Sequence, residues 1–162
     1  SKNSRKSMRI TISIFLLIMV ACKTTNTNTL KTNEVSFKTV SIGVLYGDGT
    51  EGISKSNFSI SNAKDWNIFL NTINASNRFS KVAIDFSKQQ LLCVFDSIRN
   101  TSGFKIEIEN IFIEKSGLKT IYTTSKPSTT AMVNMVVTQP YHIVIIEKQE
   151  ESITFINKDN LQ

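Results

Sequence analysis

Three hydrophobic patterns follow one another along the 162 residues. A largely apolar run, interrupted by Thr11 and Ser13, occupies Ile10 to Ala21. A stretch with helical spacing lies between Ser61 and Ile73, and most of the remainder after Val35 alternates with period two. In the helical stretch, Ala63, Trp66, Phe69, Leu70 and Ile73 share one face, Ser61 or Asn62 can cap the start, and Asp65 sits in the first turn. Trp66 is then expected as a core anchor, and Asn74 to Arg78 ends the helix.

The period-two segments predict strands. Val35 to Tyr46 reads as one or two, closed by the glycine-rich turn Gly47 to Gly52. Val82 to Phe86 is a short candidate. Leu91 to Phe95 is apolar throughout, as a strand buried on both faces should be. Phe104, Ile106 and Ile108 alternate, and then the phase slips to Ile111 and Ile113, which predicts a bulge near Glu109 and Asn110. Ser116-Gly117 marks a hairpin into Leu118 to Thr124, and Met132 to Thr138, Tyr141 to Lys148 and Ser152 to Asn157 complete the set. The expected class is mainly β (α+β): an antiparallel β-sandwich or partly open barrel of about seven or eight strands with one packed helix.

Charge changes the picture of the amino-terminal run. The chain carries 19 Lys and Arg against 13 Asp and Glu, a formal +6 that suggests nucleic acid or a membrane surface. Four of those cations, Lys2, Arg5, Lys6 and Arg9, precede the apolar run. The remainder after Ala21 keeps a formal excess of about two and has no Lys/Arg cluster, so nucleic acid is not an expected partner. Basic residues, an apolar run and a small residue before Cys22 form the three-part layout of an export signal. A run of about 12 residues is too short to span hydrocarbon, which takes ~20.

Met19-Val-Ala-Cys22 resembles the lipobox of bacterial lipoproteins, with Met19 where Leu is usual. That resemblance implies cleavage before Cys22, acylation of its thiol and of the new amino terminus, and a lipid-anchored place in the bacterial cell envelope. Each buried methylene adds about 0.8 kcal/mol, and more than one chain makes the anchor stable. The Thr- and Asn-rich stretch after Cys22 has almost nothing to bury and reads as a tether. The expected organisation is a signal segment over 1–21, a flexible tether over 22–33 and a single domain over 34–162.

Residues for chemistry are few. His142 is the sole histidine and sits in a strand, where a structural role bonded to a neighbouring carbonyl is expected. Cys93, in an apolar strand, reads as a small buried hydrophobe. One His and two Cys do not make the usual zinc sets, so no metal or cofactor is expected. Glu107 and Glu109 read as solvated charges on a strand edge, and Gly47-Asp-Gly49 lacks the Lys and hydroxyl of a phosphate loop. No enzyme is expected.

Several short signatures then occur in order: Val82-Ala-Ile-Asp-Phe86, Arg99-Asn-Thr-Ser-Gly-Phe104, Lys126-Pro127 and Thr138-Gln-Pro-Tyr-His-Ile143. Together they resemble the carboxy-terminal domain of the PrcB family, in which an (I/V)DF strand, a TGGY-like turn and a T-x-P-Y-H strand entry recur. The resemblance spans roughly Ile53 to Lys148, and the turn departs from it with Thr-Ser-Gly-Phe. The family is named for a lipoprotein that associates with a surface protease complex. It implies a non-catalytic, protein-binding module whose partner is an envelope protease. The expected contact residues are Asn100, Thr101, Ser102, Gly103 and Phe104, with Pro127 as their neighbour, because loops held at one end of a sandwich are common recognition sites. Asn100 to Phe104 also resembles the N-P-T-T-G-Y loop of chagasin-type peptidase inhibitors, without its Pro and one residue shorter. That likeness implies an inhibitor as the alternative.

Overall fold

The computed structural model describes residues 33–46, 53–73, 79 and 82–161. The expected signal segment, Cys22, the tether up to residue 32, the turn at 47–52 and the helix end at 74–78 lie outside the described residues. Those that are described belong to one compact unit, Thr32–Gln162.

Among the described residues there are seven strands, one α-helix and a 3-10 turn at Lys158–Asn160: β1 Lys38–Tyr46, β2 Ser56–Ile60, α1 Ala63–Thr72, β3 Gln89–Phe95, β4 Lys105–Glu114, β5 Gly117–Ser125, β6 Thr138–Glu147 and β7 Ile153–Asn157. They build two sheets, ordered β1-β6-β3-β2 and β4-β5-β7. The first is antiparallel throughout. The second pairs β4 and β5 as a hairpin but takes β7 parallel to β5, a departure from the all-antiparallel expectation. Neither sheet closes on itself, so the sandwich, not the barrel, is the solution.

The first sheet is the middle of three layers. Odd residues of β3 (Leu91, Cys93, Phe95) face α1, and even ones (Leu92, Val94) face the second sheet. All are fully buried, as the unbroken apolar sequence predicts. Against the helix-facing side packs a run of rings: Trp66 on Phe69, Phe69 on Phe95, and Phe95 on Tyr141, with centroids 5.5–5.8 Å apart. Burying one such side chain stabilises the fold by roughly 1.5–3 kcal/mol. Asn62 starts the helix, its side-chain oxygen accepting from the Asp65 N–H at 2.9 Å while its amide donates to the Asp65 carboxylate.

Four elements differ from the sequence reading. β2 escapes it because only Phe58 and Ile60 carry its pattern. Val82 to Phe86 pairs with no strand. Its apolar residues do pack on the helix-side core, but the Asp85 carboxylate accepts from the Ser87 N–H and hydroxyl and folds the chain into a turn. Met132 to Val137 is irregular, since its apolar residues find no facing layer, and only Thr138 joins β6. Asn33, placed in the tether, is already structured: its carbonyl accepts from Ile113 N–H at 2.6 Å. The bulge and the hairpin stand where the phase predicts them, the register shifting between Ile108 and Asn110 and β5 opening at Gly117. Gly117 has φ +121, and a Cβ there would collide with the Ser152 carbonyl, so glycine is required.

His142 is held from two sides. The Ile108 N–H, just before the bulge, points away from β5 and donates to His142 Nδ1 at 2.9 Å. A nitrogen that accepts from an amide carries no proton, so Nε2 holds it and donates to Thr39 Oγ1 at 2.9 Å. Thr39 lies at the register shift of β1. The imidazole thus joins β6 to β4 and β1, rather than to a neighbouring carbonyl as expected.

Burial lowers the His142 pKa from 6.5 to about 4. Between those values the unfolded chain takes up a proton that the folded one refuses. The contribution of this group is therefore complete above pH 6.5 and is lost as the pH falls toward 4, by about 1.4 kcal/mol per unit. Denaturant midpoints measured from pH 6.5 down to 5 should fall accordingly, and His142→Asn should flatten that slope while lowering stability at pH 7.

Candidate functional site

The site begins where β3 ends. Asp96 N–H donates to the Pro140 carbonyl at 3.0 Å, and the Gln139 amide donates to the carbonyls of Asp96 and Ile53. Asp96 is 1% exposed, and one of its carboxylate oxygens receives both Nε and Nη2 of Arg99, at 2.9 and 2.7 Å. A charge-assisted pair of this kind is worth more than a neutral bond, because the carboxylate has little water to return to. The guanidinium also lies 4.5 Å above the Phe104 ring centroid, where the ring face attracts its charge. Arg99 therefore folds the intervening residues into a compact turn.

A second set of bonds ties this turn to the long irregular segment before β6. Arg99 and Thr138 exchange backbone bonds at 2.7 and 2.9 Å, and the Thr138 hydroxyl donates to the Thr101 carbonyl. Ser102 N–H donates to the Asn134 carbonyl, and the Asn134 N–H donates back to the Ser102 hydroxyl at 2.9 Å. Gly103 has φ +94, and a Cβ built there would stand 2.8 Å from Pro127 Cβ. The six residues expected as a contact region are thus in one place. Asn100 is exposed, Thr101 and Ser102 are half-buried, Gly103 lies against Pro127, and Phe104 lies beneath Arg99.

What the sequence reading missed is what the turn carries beside it. Ile98, Met132, Val133 and Met135 are exposed, Met132 fully and Met135 at 84%. The two methionines lie in a segment read as a strand, which hid them. Their spacing was the usable signal, since only these two of the four methionines come after Cys22. Apolar side chains projecting from a backbone pinned by Ser102 and Thr138 form an adaptable, greasy tip.

The residues that chemistry would recruit are occupied elsewhere. Burial raises the Cys93 thiol pKa far above its usual range, and both nitrogens of His142 are bonded. Glu109 receives Lys158 at 2.7 Å. Among the described residues, no group of three or more His, Cys, Asp or Glu is arranged to hold a metal ion.

The tip makes a direct prediction. Gly103→Ala combines positive φ with a Cβ pressed on Pro127, a cost of about 1–3 kcal/mol. Thermal unfolding should register it, and hydrogen exchange should show the Ser102 amide losing protection while the Leu92 amide keeps most of its own.

Residues 92–147 match the family described as PrcB C-terminal. That span runs from within β3 to the end of β6, and so contains the Arg99–Phe104 turn, the methionine segment and the His142 bridge. No curated protein and no solved structure matches the chain. The chain is therefore similar to the PrcB C-terminal family over Leu92 to Glu147, the two central strands with the hairpin and tip between them, about a third of its length.

Proposed function

We propose that the chain is a lipid-anchored protein of the bacterial cell envelope whose domain binds another protein, within a protease assembly, and catalyses nothing itself. The tip carries this reading. Leaving Ile98, Met132, Val133 and Met135 in water forgoes roughly 25 cal/mol per Å² of burial, and such patches on a held backbone mark partner sites. The PrcB C-terminal match supports the protease as partner class through the family's namesake, and the Met19 to Cys22 lipobox supports the anchor. The peptidase-inhibitor alternative has less support. An inhibitory loop must project into a cleft, whereas here Ser102 is bonded to Asn134 and Gly103 is packed on Pro127.

Two experiments test the reading. Envelope extracts of the source cell, passed over the full chain, should yield a protease. Met132→Asp combined with Met135→Asp should cut its recovery at least tenfold without lowering Tm, because both side chains are solvent-exposed. Equal recovery by both chains would remove the tip from the argument, and recovery of no protease would remove the partner class. Separately, Cys22→Ala should abolish labelling by a palmitate analogue in the source cell; retained labelling would sink the anchor.

A further inference from the structure

A groove of about 440 Å³ opens beside the tip, between β1 and the first half of β4. Its walls include Ile42, Gly43 and Tyr46 on one side and Gly103, Phe104 and Lys105 on the other. β1 and β4 are each the terminal strand of their sheet, so two sheet edges meet across it.

The ladder tells which backbone groups face the groove. Ile106 stands opposite Thr124 in the β4–β5 register, and the Thr124 N–H is directed away from β4, to the Asp159 carboxylate at 2.8 Å. The 106/124 pair is then one that exchanges no hydrogen bonds, which turns the N–H and C=O of Ile106 outward, away from β5. Along the same outer edge, Ile108 N–H is bonded to His142. Past the bulge, Ile111 C=O accepts from Val35 N–H at 2.7 Å and Ile113 N–H donates to Asn33 C=O at 2.6 Å. Glu34 bridges Phe112 antiparallel. The chain thus already lays a short extended segment, antiparallel through the single Glu34 bridge, on the far half of this edge. On the near half, no backbone group of the described residues pairs with Ile106.

From Val40 to Tyr46 the groove's other wall, β1, contains no charge and no proline, two of the features that keep strand edges from pairing, and it exposes Ile42 at 49% and Tyr46 at 62%. The volume lies in the lower part of the range for ligand pockets, about 300–1,000 Å³. It suits the alternate side chains of a short segment and is too small for a folded domain.

We infer that this groove takes an extended, largely uncharged segment of a partner protein, added antiparallel to β4 at Ile106 in line with the chain's own bridged Asn33–Val35 segment. Main-chain bonds to Ile106 hold the segment. Every second side chain enters between Ile42 and Phe104, and the methionine tip meets the partner's residues beyond the segment. The inference rests on the protein-binding reading and names the form of the partner.

The test uses the full chain and random heptapeptides selected on it from a displayed library. Expected are peptides with alternating apolar positions, slowed exchange of the Ile106 amide on binding, and at least a tenfold loss of affinity with Ile42→Lys at unchanged Tm. N-methylation of the peptide backbone at alternate residues should abolish binding in one phase and spare it in the other. Failure to select any peptide, indifference to both N-methylation phases, or an unaltered Ile106 amide would overturn the inference. So would a dimer of the chain that Ile42→Lys turns into a monomer, since the groove would then serve a second copy. If protease recovery depends on Met132 and Met135 but not on Ile42, the groove proposal falls and the protein-binding reading stands.

Discussion

Strands β3 and β6 have no face open to water, and the rest of the domain is arranged around that fact. A sheet apolar on both sides must be covered twice, here by α1 and its rings on one side and by the β4-β5-β7 sheet on the other. A polar group on these two strands has little water to turn to, and His142 finds its partners inside the protein. Those partners are the Ile108 N–H on the outer edge of β4, just before its bulge, and the Thr39 hydroxyl at the β1 bulge. The same logic holds at the strand ends, where Gln139 donates to two loop carbonyls and Asp96 receives Arg99. The tip is thus anchored in the most buried part of the fold.

Much of this was legible in the sequence where one signal dominated. The unbroken apolar run of β3, the single helical face of Trp66, Phe69 and Leu70, and the one-residue slip after Ile108 each have one structural reading. Elsewhere, local pattern and tertiary context pulled apart. Val82 to Phe86 alternates correctly, but Asp85 bends it before a strand can form. The apolar letters of Met132 to Val137 imitate a strand although no layer faces them. The parallel seat of β7 depends on where the Gln149–Ser152 connection delivers the chain, which no periodicity encodes. In the tip, the glycine and proline of the turn advertised themselves. Arg99 did not, because a lone arginine beside a polar loop looks like any other surface cation until its carboxylate is found three residues upstream in a buried position.

Tip and groove form one continuous margin of the domain, joined through Ser102, Gly103 and Phe104, which belong to both. On the proposed protein-binding reading, this margin would recognise a partner in two ways. Met132 and Met135 would repack around many apolar shapes, which favours adhesion over selectivity. Strand addition at Ile106 would fix direction and register, because a shift of one residue would put the wrong side chains into the groove.

The seating of Asn33 and Val35 on β4 has a mechanical side. A pull from the amino-terminal direction enters the folded domain through the bonds of Asn33 and Val35 to Ile113 and Ile111. It is borne by the same strand whose near half lines the groove. Load and the proposed partner segment would therefore share one piece of backbone, with the His142 bond to Ile108 standing between them as a stay.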